Sequence, residues 1–124
     1  MYVGNFKKGL KTGKGIMKYQ CGDKYEGLFK NDVPEGYGKY NYNNGDVYIG
    51  DFKDGLADGN GKHVFKNGKI YEGEFQKGKI SGNGKIFFPN GDIYEGEVRK
   101  GVPCGQGVFR HANGLIEERN WDDK

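Results

Sequence analysis

Hydrophobic and polar residues alternate along most of the chain, and glycine interrupts the alternation at regular intervals. In residues 84–97, apolar and polar side chains alternate on both sides of the pair Asn90-Gly91. Alternation with a period of two is typical of a β-strand that is buried on one face, and an Asn-Gly pair between two such segments indicates a β-hairpin. The pattern therefore predicts antiparallel strands joined by tight turns.

The hairpin pattern recurs every 23 residues. Tyrosine marks each copy at Tyr2, Tyr25, Tyr48, Tyr71 and Tyr94. Glycine follows two residues later, and a turn glycine recurs at Gly22, Gly45, Gly68, Gly91 and Gly114. A fixed period of this length predicts a repeat architecture, in which each copy packs only on its neighbours. We expect one array over residues 1–124, with a half-repeat at 2–12 and hairpins at about 13–30, 36–53, 59–76, 82–99 and 105–121, the last one degenerate.

The turn type decides which side chains share a face. A two-residue loop at Asn90-Gly91 would put Tyr94 and Ile86 on opposite faces, whereas a three-residue loop at 89–91 pairs them on one face. We therefore favour a type I turn followed by a glycine bulge. The other face, with residues such as Lys24 and Glu26, is then expected to be largely solvated. One aromatic face results, and its predicted partner-binding residues are Tyr19, Tyr25, Phe29, Tyr40, Tyr42, Tyr48, Phe52, Phe65, Tyr71, Phe75, Phe88 and Tyr94.

Charge is nearly balanced, with 20 basic and 17 acidic residues and a formal net charge of +3. This balance gives no reason to expect nucleic acid as a partner. Residues 1–31 nevertheless contain seven lysines and only two acids. Two interpretations stay open for this end of the chain, a solvated surface or a site for anionic phospholipid. The lipid-binding candidates are Lys7, Lys8, Lys11, Lys14 and Lys18.

No residue pattern points to catalysis, a metal or a cofactor. Cys21 and Cys104 lie three to four repeats apart and fit no metal spacing, so we expect free thiols. His63 and His111 occupy repeat positions that hold aromatic or apolar residues elsewhere, without a carboxylate at ligand spacing, so we expect packing or surface roles. No apolar run approaches the roughly 20 residues that span a bilayer. These features predict a non-enzymatic cytoplasmic protein.

One stretch resembles a known repeat family. Residues 71–78 read Tyr-Glu-Gly-Glu-Phe-Gln-Lys-Gly, and the motifs Gly-Asn-Gly at 82–84 and Asn-Gly-Asp at 90–92 follow. This string resembles the MORN (membrane occupation and recognition nexus) repeat, and the likeness recurs about five times over essentially the whole chain. The resemblance implies an all-β, single-layer antiparallel hairpin meander used as a protein-interaction scaffold. It also implies association with the cytoskeleton or with membranes, and often self-association.

The leading functional hypothesis is a scaffold that binds a helix or extended segment of a protein along the aromatic face. For each ring the alternative is that it simply forms the core of a thin sheet. Two expectations concern the ends. The strand at Tyr2 begins halfway through a repeat, so we expect either that the array is cut from a longer one or that this open edge pairs with another molecule, as in a homodimer. At the other end, Glu117, Arg119 and Trp121, with the charged tail 122–124, are expected to form a cap that discourages further pairing.

Overall fold

The computed structural model describes residues 1–99 and 102–120. They form one antiparallel sheet of eleven strands whose spatial order is the chain order, as predicted, and they contain no helix. The strands are β1 (Tyr2–Lys7), β2 (Leu10–Lys18), β3 (Lys24–Lys30), β4 (Val33–Asn41), β5 (Val47–Lys53), β6 (Leu56–Val64), β7 (Ile70–Gln76), β8 (Lys79–Phe87), β9 (Ile93–Arg99), β10 (Val102–Arg110) and β11 (Ile116–Asn120).

The hairpin tips have the predicted three-residue loop. Phe88 N donates to Asp92 O at 2.9 Å, and Gly91 N donates to Phe88 O at 3.0 Å. Gly91 has a φ of 97°, and Ile86 pairs with Tyr94. The rings of each hairpin therefore lie on one face, and the predicted register is confirmed.

The connections between hairpins are shorter than the sequence suggested. Each is a two-residue turn with positive φ at both residues where both are described, such as Asp54 (52°) and Gly55 (85°). At the second turn Asp32 takes the place of the glycine, with a φ of 76°. Strands β2, β4, β6, β8 and β10 consequently begin three residues before the predicted hairpin starts. The register shift between Gly27 and Phe29, and its equivalents, takes up the extra residues as a bulge.

Four tyrosines form the centre of the core. Tyr25, Tyr48, Tyr71 and Tyr94 are at most 1% exposed. Each ring lies across a pair of glycines on adjacent strands: Tyr25 covers Gly27 and Gly38, where a Cβ would overlap the ring. The rings thus cover the backbone that the strand glycines leave open.

Among the described residues, each terminal strand pairs with one neighbouring strand. β1 pairs with β2, and β11 pairs with β10. Glu117 and Arg119 lie on β11, whereas Trp121 and residues 122–124 of the expected cap lie outside the described residues. Self-association through β1 stays a prediction.

Candidate partner-binding surface

The aromatic face divides into a buried part and a half-exposed part. The exposed fraction is at most 6% for seven of the twelve predicted contact residues, which pack on one another. Tyr48, for example, makes edge-to-face contacts with Phe52 at 5.1 Å and with Phe75 of the next repeat at 4.8 Å. Burial favours the core interpretation for these seven, Tyr25, Phe29, Tyr48, Phe52, Tyr71, Phe75 and Tyr94.

The remaining five predicted residues lie close to the hairpin tips and are partly accessible. The centroids of neighbouring rings are close: Tyr19–Tyr40 at 5.9 Å, Tyr40–Tyr42 at 4.7 Å and Phe88–Phe109 at 5.5 Å. Histidine rings continue the series. We call this surface the tip stripe, and it consists of Tyr19, Tyr40, Tyr42, His63, Phe65, Phe88, Phe109 and His111.

Sequence reasoning did not assign His63, Phe109 and His111 to this surface. His63 stacks on Tyr42 at 5.7 Å and contacts Phe65 at 4.3 Å, and His111 contacts Phe109 at 4.6 Å. The available signal was the repeat position, because both histidines stand where other copies carry Tyr, Phe, Met or Ile. An imidazole ring packs in such a row much as a phenyl ring does.

Carboxylates lie beside the rings of the tip stripe. Asp23 Oδ2 accepts a hydrogen bond from Tyr40 Oη at 2.8 Å, and this bond holds the pKa of Asp23 below its usual value. Burial, followed by that bond to Asp23, raises the pKa of Tyr40. His63 Nε2 lies 3.1 Å from Asp46 Oδ2, and the contact lowers the pKa of Asp46. The stripe thus combines aromatic surface with fixed negative charge.

His111 also has carboxylate neighbours, with its Nε2 2.6 Å from Glu117 Oε1 and its Nδ1 3.9 Å from Asp92 Oδ2. The sequence has no carboxylate at metal-ligand spacing from either histidine, yet both histidines contact carboxylates in the fold. The partners of the two histidines are 17, 6 and 19 residues away, and only the strand register brings them together. Within the described residues no group of three His, Cys, Asp or Glu side chains could hold a metal ion, and Cys21 and Cys104 are free thiols.

The five lysines proposed for lipid binding do not share one surface. Lys7 and Lys8 lie at the turn between β1 and β2, and Lys11 forms an ion pair with Asp32 at 3.7 Å. Lys14 and Lys18 follow the alternation of β2 on the other side of the sheet. No described segment is a helix that could cross a membrane.

The back face, opposite the aromatic face, carries apolar side chains at its N-terminal end. Val3, Leu28 and Tyr37 are exposed there, and with Ile16 they line a shallow groove of about 550 Å³. Three of these four side chains are exposed to solvent, in line with the expected solvated back face. Their apolar character as a group was not evident from the sequence, because residues of four different strands meet only in the assembled sheet.

Comparison with known proteins identifies the repeat. The MORN repeat profile matches residues 2–24, 25–47, 48–70, 71–93 and 94–116, five consecutive copies without a gap. No curated protein matches the chain.

Proposed function

The chain belongs to the MORN repeat family, and we propose that it is a non-catalytic scaffold that binds a helical or extended protein segment along the tip stripe. MORN repeats form a non-enzymatic module that generally serves protein or membrane interaction. The observation that supports this site is the continuous row of partly accessible rings from Tyr19 to Phe65. Large aromatic side chains of this kind are common anchors of protein interfaces.

Rigid support distinguishes the tip stripe from scattered surface rings. Tyr40 is held by its hydrogen bond to Asp23, and His63 by its contact with Asp46. A preorganised ring loses little conformational entropy on binding. The neighbouring carboxylates favour a partner segment that carries Lys or Arg beside its apolar residues, because cations pair with carboxylates and with aromatic faces.

A substitution at Tyr42 tests this proposal. Its ring is 38% exposed and contacts Tyr40 and His63, so Tyr42→Ala removes contact surface while sparing the buried tyrosines. We expect peptides selected from a random library on the wild-type protein to lose at least about tenfold in affinity, as for an interface anchor. Calorimetric titration measures the affinity, and a thermal melt checks the fold.

Leu56→Ala is the matched control, because Leu56 is an exposed apolar residue beside the Asp54-Gly55 turn, away from the hairpin tips. We expect it to leave binding of the selected peptides unchanged. Selected peptides that bind the Tyr42→Ala variant as tightly as the wild type would exclude the tip stripe as their site.

Phospholipid binding has weaker support, because the proposed lysines are spread over a turn, an ion pair and the back face. A lysine is attracted to an anionic surface only when it lies close to it, and lysines on different sides of a sheet cannot all approach one surface. Homodimer formation through β1 is also untested.

A further inference from the structure

A groove on the back face is separate from the tip stripe and has its own chemistry. We propose that the back groove, formed by Val3, Ile16, Leu28 and Tyr37 with Lys14 and Lys39 at its sides, docks a protein segment that carries apolar and acidic residues. Its floor is backbone at Gly15, Gly27 and Gly38. Exposure is high, at 57% for Val3 and 62% for Tyr37.

The array itself shows that this apolar pair is not needed for folding. At the position of Leu28 the other copies carry Asn5, Asp51, Glu74 and Glu97. At the position of Tyr37 they carry Lys14, Asn60, Asn83 and Gln106. Only one copy therefore has Leu and Tyr at these two positions, although all copies share the same core.

The polar copies also show what those positions do structurally. Asp51 Oδ2 accepts a hydrogen bond from Asn60 N at 3.3 Å, and Glu97 Oε2 accepts one from Gln106 N at 2.5 Å. Leu28 cannot form this bond, and its side chain instead lies over Gly36. The second copy thus lacks a local hydrogen bond and exposes apolar surface, an exchange that a bound partner would explain.

The charged side chains around the back groove indicate the chemistry of its partner. Lys14, Lys39 and Glu26 line the groove, and Lys18 and Lys24 lie farther along the same face. A second acid, Asp51, is the cross-strand neighbour of Tyr37, so four lysines stand against two acids. Glu26 is already paired with Lys24 at 2.7 Å, and its pKa is lowered mainly by that lysine. A net positive rim around an apolar floor is complementary to a segment that combines acidic and apolar side chains.

The shape favours a narrow segment over a flat bilayer. Two rows of side chains, one with Val3 and Ile16 and one with Leu28 and Tyr37, border a strip of glycine backbone. From β1 to β4 the groove spans three strand spacings, on the order of 14 Å, which matches about four extended residues. Tyr37 and Ile49 continue the surface toward β5.

The test uses a synthetic peptide of alternating Asp and Leu as the probe, with a Lys–Leu peptide of the same length for comparison. The double variant L28D/Y37N places residues there that the third copy already carries at the equivalent positions, so it retains the fold. We expect the acidic peptide to bind the wild type, and to bind the double variant at least about tenfold more weakly, as for loss of an interface anchor. Fluorescence anisotropy measures both, and Tyr42→Ala on the tip stripe should leave this binding unchanged.

Equal affinity of the acidic peptide for wild type and double variant would overturn the proposal, and so would equal affinity of the wild type for the Lys–Leu peptide. Vesicles of phosphatidylserine and phosphatidylcholine provide the lipid arm. Vesicle binding that the double variant loses, without binding of the acidic peptide, would assign the groove to lipid. A dimer seen by light scattering and lost in the double variant would assign it to a second copy. Because the tip stripe is tested by a different variant and different peptides, failure here leaves the proposed function standing.

Discussion

The tyrosine of each repeat has two structural roles, one for its ring and one for its hydroxyl. The Tyr48 ring covers the glycines at 50 and 61, and its hydroxyl donates to Asp51 O at 2.8 Å. The same bond recurs at Tyr25, Tyr71 and Tyr94, each to the carbonyl three residues later. Burial raises the pKa of Tyr25 to about 12 and also raises the pKa of Tyr48. Both hydroxyls are therefore neutral donors near neutral pH.

Two substitutions at Tyr48 separate the role of the ring from that of the hydroxyl. Tyr48→Phe keeps the ring and removes the hydrogen bond, so it should lower the free energy of unfolding by about 1 kcal/mol. Tyr48→Ala also removes the ring between Phe52 and Phe75, and should cost about 3 to 5 kcal/mol, as other buried aromatic truncations do. Urea unfolding measures both. Equal, small losses of unfolding free energy in the two variants would contradict a stabilising role for the ring.

Much of this residue-scale picture could be predicted from the sequence. The period placed the tyrosines and glycines, and the parity of the loop placed Ile86 opposite Tyr94. The division of the rings into buried and exposed ones could not be predicted, because alternation assigns a face and says nothing of depth. Tyr25 and Tyr42 have the same parity relation to their turns, yet one is fully buried and the other 38% exposed.

At the scale of the hairpin, the tips are linked by a recurring hydrogen bond. The Oδ1 atoms of Asp23, Asp46 and Asp92 accept from the backbone N of Asn43, Lys66 and Ala112, each at 2.8 Å and each 20 residues ahead. The copy in between breaks the series, because it has Lys69 where the others have Asp, and Pro89 where the others have an N–H. The tips of the third and fourth hairpins therefore lack this bond.

Restoring the bond requires both changes together. Lys69→Asp supplies the acceptor and Pro89→Ala supplies the donor, so neither variant alone gains the bond. The free energy of unfolding of the double variant should exceed the value expected from adding the two single effects by about 1 kcal/mol, the net value of one hydrogen bond. A double-mutant cycle of urea unfolding measures this coupling. Additive effects would show that the tip bonds contribute nothing to stability.

Strand boundaries mark the limit of sequence reasoning at this scale. The predicted hairpins began at the first glycine of each pair, such as residue 36, whereas β4 begins at Val33. The Lys–Gly and Asn–Asp turns adopt positive φ at two successive residues, and only the bulge after Gly27 keeps the long and short strands in register. Neither feature changes the hydrophobic alternation, so the pattern did not reveal them.

At the scale of the whole molecule, the described part of the chain has two chemically different faces. The aromatic face carries the core and the tip stripe with Asp23 and Asp46 beside it, while the back face begins with an apolar groove bordered by lysines. The tip stripe and the back groove lie on opposite faces of one sheet, so the two proposed sites do not overlap. The sequence predicted the aromatic face. It did not predict the back groove, whose members come from four strands.

The most direct test of partner binding on the tip stripe is an NMR titration of the ¹⁵N-labelled protein with a library-selected peptide. Proteins bind partners through the groups they expose, so the largest amide shifts should fall at the hairpin tips, around Asn43 and Lys66. The amides of Gly27 and Gly38, beneath the buried Tyr25 ring, should shift little. Shifts concentrated at the two-residue turns, such as Asp54-Gly55, or on the back face with the tips unchanged would contradict the assignment.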